Sequence, residues 1–184
     1  MSVAVIFFTA TSMAGDYSRV PIPTKRAYGR VRDQLFTPVS FQIKPVSVLK
    51  TKDRSGAIVD SAHVFSLVIR GDDGQGFAAY FTTARNSLAF PIGIRQAAMM
   101  RGSSDYLKTM FPAGRRVPIG LTSAQMTFLN PKTQRLETKV YRDRVALQLN
   151  LIPSRDQFLG QILLVLSDVN RSFVCGAFKV SRNQ

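Results

Sequence analysis

The chain has 184 residues with 25 Lys and Arg against 11 Asp and Glu, a formal charge of +14, and 45% hydrophobic residues. That apolar content excludes disorder throughout, and the length suits one domain with an arm. The single cysteine, Cys175, excludes an intramolecular disulfide and suits a reducing compartment.

The opening Val3-Ala4-Val5-Ile6-Phe7-Phe8 is apolar and uncharged. It is shorter than the ~20 residues of a membrane span, and no cation precedes it as in a signal peptide. It reads as a docking segment, with Ile6, Phe7 and Phe8 as the self-association anchors, the alternatives being an edge strand of its own domain and membrane insertion. Residues 1–38 read as an N-terminal arm and linker, because Gly15, Pro21, Pro23, Gly29 and Pro38 interrupt any period.

A single globular domain is expected over residues 39–184. Val39, Phe41 and Ile43 alternate with polar residues as a half-buried strand does. His63, Phe65, Leu67 and Ile69 form a second strand. Gly71-Asp72-Asp73-Gly74-Gln75-Gly76 turns the chain into a third, Phe77 to Thr82. The Asp pair reads as turn chemistry, not as a metal site.

Pro91 suits a first helical position, so a helix is expected from Ile92 to Arg101, and a second one capped by Ser103 or Ser104. Ala124 to Leu129 reads as a strand. Val145, Leu147, Leu149 and Leu151 share one parity and give a strand with one wet face, ended by Pro153. Phe158, Leu159, Ile162, Leu163, Leu166 and Val169 fit a 3.6 period, so a helix capped at Ser154 or Asp156 is expected there, closed by Asn170. Ser172 to Val180 is the last strand. The fold class expected is α+β: an antiparallel β-sheet packed against two or three helices, with an extended N-terminal arm.

Catalytic signatures are sparse. One His (His63), one Cys and one Glu (Glu137) leave no Cys/His zinc set, no nucleophile–base pair and no phosphate loop. A non-enzymatic protein without cofactor or metal is expected. Basic residues are instead spread over the whole length. They cluster as Lys25/Arg26/Arg30/Arg32, Lys50/Lys52/Arg54, Arg115/Arg116 and Lys132/Arg135/Lys139/Arg142/Arg144. Such clusters seek polyanions: a nucleocapsid, RNA or an anionic membrane. Tyr28, inside the first cluster, could stack on a base, whereas sequence-reading motifs are absent.

The order at the C-terminal third is a Tyr-Arg-led alternating strand over 141–151, a Pro-Ser-Arg-Asp break, an apolar helix and a Ser-Phe-Val strand. It resembles the end of the globular domain of rhabdovirus matrix proteins. The resemblance covers residues 137–180 by pattern and the rest by composition. The apolar first 14 residues and the missing Pro-Pro-x-Tyr budding motif depart from animal-virus members. The resemblance implies a virion protein that self-associates, condenses the nucleocapsid and bridges it to anionic membrane. The places it implies are the virion, the host cytoplasm and the inner face of host membranes, with the nucleus as a further compartment. Two alternatives stay open: an RNA-packaging capsid protein or nucleoprotein of a small virus, and a cellular non-specific RNA-binding module. A jelly-roll coat needs about eight strands and little helix, which the expected helices argue against.

Overall fold

The computed structural model describes residues 20–52, 54–83, 91–96, 120–141 and 145–181. Their regular structure is all β. In chain order the strands are β1 (Tyr28–Val31), β2 (Gln34–Phe36), β3 (Ser40–Lys52), β4 (Ile58–Arg70), β5 (Gly76–Thr83) and β6 (Ile92–Gln96). They continue as β7 (Gly120–Asn130), β8 (Arg135–Tyr141), β9 (Val145–Ser154), β10 (Gln157–Leu166) and β11 (Phe173–Ser181). Six strands form one antiparallel sheet in the order β2-β1-β11-β10-β9-β6 (sheet A). Five form a second in the order β3-β4-β5-β7-β8 (sheet B).

The two sheets share one core. From sheet A it takes Leu147, Leu149, Leu151, Ile162, Leu164, Leu166 and Val174, and from sheet B Phe65, Leu67, Ile69, Phe81, Leu121 and Met126, all buried. Each set alternates along its strands, with a bulge at Thr122 shifting the parity of β7 between Leu121 and Met126, as in a two-layer sandwich with interdigitated inner faces. Rings tie the layers together. Phe41 stacks on Phe178 at 4.5 Å, and Phe36 meets Phe77 edge-on at 5.3 Å.

The α+β expectation is therefore corrected: among the described residues there is no helix. The clearest case is the segment read as a helix over 156–169, which is β10 and its following turn. Its apolar positions fit a helical period, but Phe158, Ile162, Leu164 and Leu166 also share strand parity. Ile162 to Leu166 is apolar on both parities, so period alone cannot decide. Its neighbours decide it. Ile162, Leu164 and Leu166 sit opposite Leu149, Leu147 and Val145 of β9, and Leu164 sits opposite Val174 of β11. Gly160 fits the same answer, since a Cβ there would overlap the Phe178 ring. Val169, expected on the apolar helix face, is almost fully exposed in the turn. The residue with positive φ in that turn is Arg171, not Asn170.

Pro153 does not end β9 but pairs with Phe158 near its end. The β6 ladder stops opposite Leu151, so a missing N–H on that side removes no hydrogen bond. The helix expected after Pro91 begins as a strand, because Ile92 to Gln96 pair with β9. Its remainder and the helix expected after Ser103 lie outside the described residues.

The arm expected over 1–38 is part of the sandwich from Tyr28 onward. Arg32 and Asp33 make a two-residue turn, with Arg32 at φ 54°, that folds β2 back on β1. Val31 and Phe36 reach the core. The hairpin expected at Gly71–Gly76 is present, with the Asp73 carboxylate accepting from the Gln75 N–H at 2.9 Å.

The core predicts its own test. Leu164 is fully buried and Leu159, on the opposite face, is 40% exposed. Leu164→Ala should lower the unfolding free energy by about 2–5 kcal/mol. Leu159→Ala should stay within about 0.5 kcal/mol of the parent. Urea titration of both reads the difference, and equal midpoints would remove the β10 facing.

Candidate polyanion-binding surface

Apart from Arg32, the described residues of the predicted basic clusters fall into three places. The first is the β1 edge of sheet A. The extended segment before β1 is fixed by the Gln148 side-chain amide, which donates to the Val20 carbonyl at 2.8 Å. Ala27 N–H donates to the Ala177 carbonyl at 2.8 Å, and Ala177 N–H to the Lys25 carbonyl at 2.7 Å. That close crossing needs Gly176, at φ 124°, where a Cβ would lie 2.7 Å from the Ala27 Cα. Lys25, Arg26 and Arg30 are left exposed along this edge. Tyr28 stands among them, 46% exposed, with Phe173 of β11 at right angles 6.3 Å away. A hydrogen bond with the Cys175 side chain, with partial burial, holds the Tyr28 phenol above its ordinary pKa. Cys175 itself is buried, which pushes its thiol up.

The second place is the tip of the β3–β4 hairpin. Among the described residues β5 pairs with β4 as far as His63, and beyond it the hairpin continues as the β3–β4 ribbon from Leu49–Ala62 to Lys52–Ile58. Lys50, Lys52 and Arg54 are exposed on this ribbon and its turn, beside exposed Val48 and Ile58.

The third is the β7–β8 hairpin. Its turn is built on Asn130, whose side-chain oxygen accepts from the Lys132 N–H at 2.9 Å and whose amide donates to Glu137 at 2.6 Å. Lys132, Arg135 and Lys139 are exposed, and Glu137 lies between the last two on the same parity. Leu129, Leu136 and Val140 add exposed apolar surface. Among the described residues none of these nine cations is held in an ion pair.

Arg32 separates from its cluster. Its guanidinium lies 3.7 Å over the Phe128 ring, and its N–H donates to the Ser172 hydroxyl at 2.8 Å. It bridges the two sheets and is half-buried, so it serves packing before it serves a partner. Arg115, Arg116, Arg142 and Arg144, and the anchors Ile6, Phe7 and Phe8, lie outside the described residues. Sequence clustering missed Lys179 and Phe173. Both are isolated in sequence, and strand pairing brings Phe173 opposite Arg30 and Lys179 opposite Leu159.

No enclosed reaction site is evident among the described residues. They hold no group of three metal-ligating side chains, and no helix long and apolar enough to cross a membrane. His63 is half-buried within β4, between Val48 and Thr83. A shallow groove of about 490 Å³ at the β9–β10 turn is lined by Arg155, Asp156 and Lys179. Comparison with protein-family models, curated proteins and solved structures finds no match to this chain.

Tyr141 gives a prediction free of any functional reading. Its hydroxyl is buried without a hydrogen-bond partner, and burial first, then the Asp168 charge, raises its pKa to about 12, against the Arg32 charge. The neutral form is the one the fold favours. Stability should therefore be intact below the unfolded value near 10 and fall as pH rises towards about 12. Tyr141→Phe should raise the midpoint at pH 7, by about 1 kcal/mol, and flatten the loss between pH 10 and 12. Denaturant titration at several pH values measures both, and a less stable variant would mean that the hydroxyl has a partner.

Proposed function

We propose that this chain is a structural protein of matrix type, which bridges an RNA or nucleocapsid polyanion to an anionic membrane and self-associates. The observation that carries the reading is the placement of cations on sheet B. Lys50, Lys52 and Arg54 lie on the β3 side, and Lys132, Arg135 and Lys139 on the β8 side, the two opposite edges of the sheet. They also lie at opposite strand ends. The β7–β8 turn is on the side of the β4–β5 turn, where the Leu129 N–H donates to Gln75.

Four inter-strand steps of about 4.8 Å put the two groups at least about 19 Å apart. The Debye length is about 8 Å at physiological salt, so a polyanion on one corner scarcely repels one on the other. Two independent anion-seeking corners suit a bridge better than a single-site binder. Each basic residue near an anionic leaflet contributes about 1 kcal/mol, so one corner alone binds weakly and an array binds through avidity.

An RNA-packaging coat or nucleoprotein is the second reading. The missing helix favours it, since an all-β sandwich is what a coat would need. The connectivity counts against a jelly roll, because β3-β4-β5 and β9-β10-β11 are hairpin-linked neighbours, without Greek-key crossings. The segment from which the rhabdovirus resemblance was read is a three-strand meander, so the matrix reading now rests on charge placement.

The bridge is tested by co-pelleting. At about 50 mM salt the protein should carry RNA into the pellet with phosphatidylserine liposomes, and release it by about 300 mM. Lys50→Glu/Lys52→Glu and Lys132→Glu/Lys139→Glu should each abolish co-pelleting while retaining binding to one of the two polyanions. Liposomes that sediment with protein but without RNA would rule the bridge out. Self-association has its own check. A chain lacking residues 1–10 should stay folded and monomeric by light scattering at concentrations where the full chain assembles. Assembly unchanged by the deletion would exclude Ile6, Phe7 and Phe8 as anchors.

A further inference from the structure

The outer face of sheet A carries a feature that the two corners of sheet B lack. Three rows of residues cross it in register. One runs Gly93, Asn150, Gln161, Ala177, Arg26. The next runs Arg95, Gln148, Leu163, Cys175, Tyr28. The third runs Ala146, Val165, Phe173, Arg30, Leu35. No acidic residue stands in any of them. Arg26 and Arg30 mark the β1 side, with Lys25 adjoining, and Tyr28 and Phe173 stand between them.

The two rings meet at 86°. A perpendicular pair occupies at most one ring face, so it makes a corner with faces left for a third planar group. The edge-to-face contact with Phe173 sets the Tyr28 ring beside β11. Tyr28 and Arg30 are two residues apart on one strand, hence about 6.6 Å along it and on the same face. That is close to the length of one extended nucleotide. A ring for the base and a cation for the adjoining phosphate is the arrangement by which sheet surfaces hold unpaired nucleic acid.

We propose that the Tyr28–Phe173 corner is a stacking site for an unpaired base of single-stranded RNA, with Arg30, Arg26 and Lys25 on the flanking phosphates. The proposal rests on the polyanion-binding reading and adds, on this face, a site for the base to the phosphate contacts of that reading. Nothing at the corner is aimed at base edges in a fixed pattern, so the site takes any sequence but requires a base. Duplex RNA, whose bases are already stacked, gains nothing from Tyr28.

The test uses the full chain and two labelled probes of equal phosphate number, a 12-mer of uridine and a 12-mer of abasic ribose, by fluorescence anisotropy at two salt concentrations. The parent should prefer oligouridine. Tyr28→Ala should weaken oligouridine binding about 5- to 150-fold, the range found for removing a stacking aromatic, with abasic binding and the salt slope unchanged. Tyr28→Phe should keep the preference. Photo-cross-linking of 5-iodouridine RNA to the unsubstituted protein should label Tyr28 or Phe173, which checks the site without a variant. A parent with no preference for bases, a Tyr28→Ala loss equal on both probes, or cross-links confined to other residues would overturn the stacking site. Lost liposome binding with intact RNA binding in Tyr28→Ala would assign the corner to lipid and likewise overturn it. A parent that binds neither probe at low salt would defeat the polyanion reading itself, and is told apart from the other outcomes by its failure on both RNAs.

Discussion

The register of β10 between β9 and β11 is the constraint on which the rest of this molecule depends. β10 is apolar on both faces over Ile162 to Leu166, so burial alone gives it little preference for one facing over the other. Its neighbours impose the preference. β9 presents Val145, Leu147, Leu149 and Leu151 on one parity and polar Gln148 and Asn150 on the other. A slip of one residue would set Leu163 and Val165 against the core and drive Ile162, Leu164 and Leu166 outward. The same register places β11, and β11 places β1. Tyr28 meets Phe173, and Lys25 meets Ala177, only because Leu164 pairs with Leu147 and Val174. The outer surface is thus an indirect product of the core.

Charge placement follows from the sheets' exposed edges. Among the described residues β3 and β8 are the edges of sheet B. Lys44, Lys50 and Lys52 on β3, a register shift after Pro45, and Arg135 and Lys139 on β8 all oppose edge-to-edge pairing. The cations that keep copies of the chain apart are the ones available to a polyanion. Under the proposed reading, edge protection and polyanion binding draw on the same side chains.

Several of the strands were legible in the sequence but the two-sheet architecture was not, and the missing part has a physical cause. Strands with clean alternation, such as Phe65-Leu67-Ile69 and Leu147-Leu149-Leu151, could be read directly. β10 could not, because an apolar run of five satisfies both periods and the decision lies in partners distant in sequence. β6 was hidden behind Pro91, which suits a helix start as well as a strand edge. β1 and β2 were hidden by their brevity and by Arg32, a non-glycine residue at positive φ whose turn left no glycine signal. At the candidate surface, Lys25, Arg26, Arg30 and Tyr28 are neighbours in sequence and were visible. Phe173 and Lys179 belong to the same face and were invisible, since only strand pairing joins them to it. Arg32 was misgrouped because proximity in sequence says nothing of a ring on the other sheet.

These constraints bear on how such a chain would assemble. At +14, two copies repel at low salt, and the edges β3 and β8 both carry cations. Association through those edges gains little until counter-charge arrives. A polyanion laid across Lys50, Lys52 and Arg54 supplies that charge where the repulsion is greatest, and one strand of RNA can neutralise the edges of two neighbours together. Under the proposed reading, binding and self-association are then linked equilibria: each neutralised copy lowers the cost of adding the next. The absence of a deep pocket among the described residues is consistent with this. On that reading no enclosed site is needed, because binding works through the spacing of weak, separate contacts that the two-layer core holds in place.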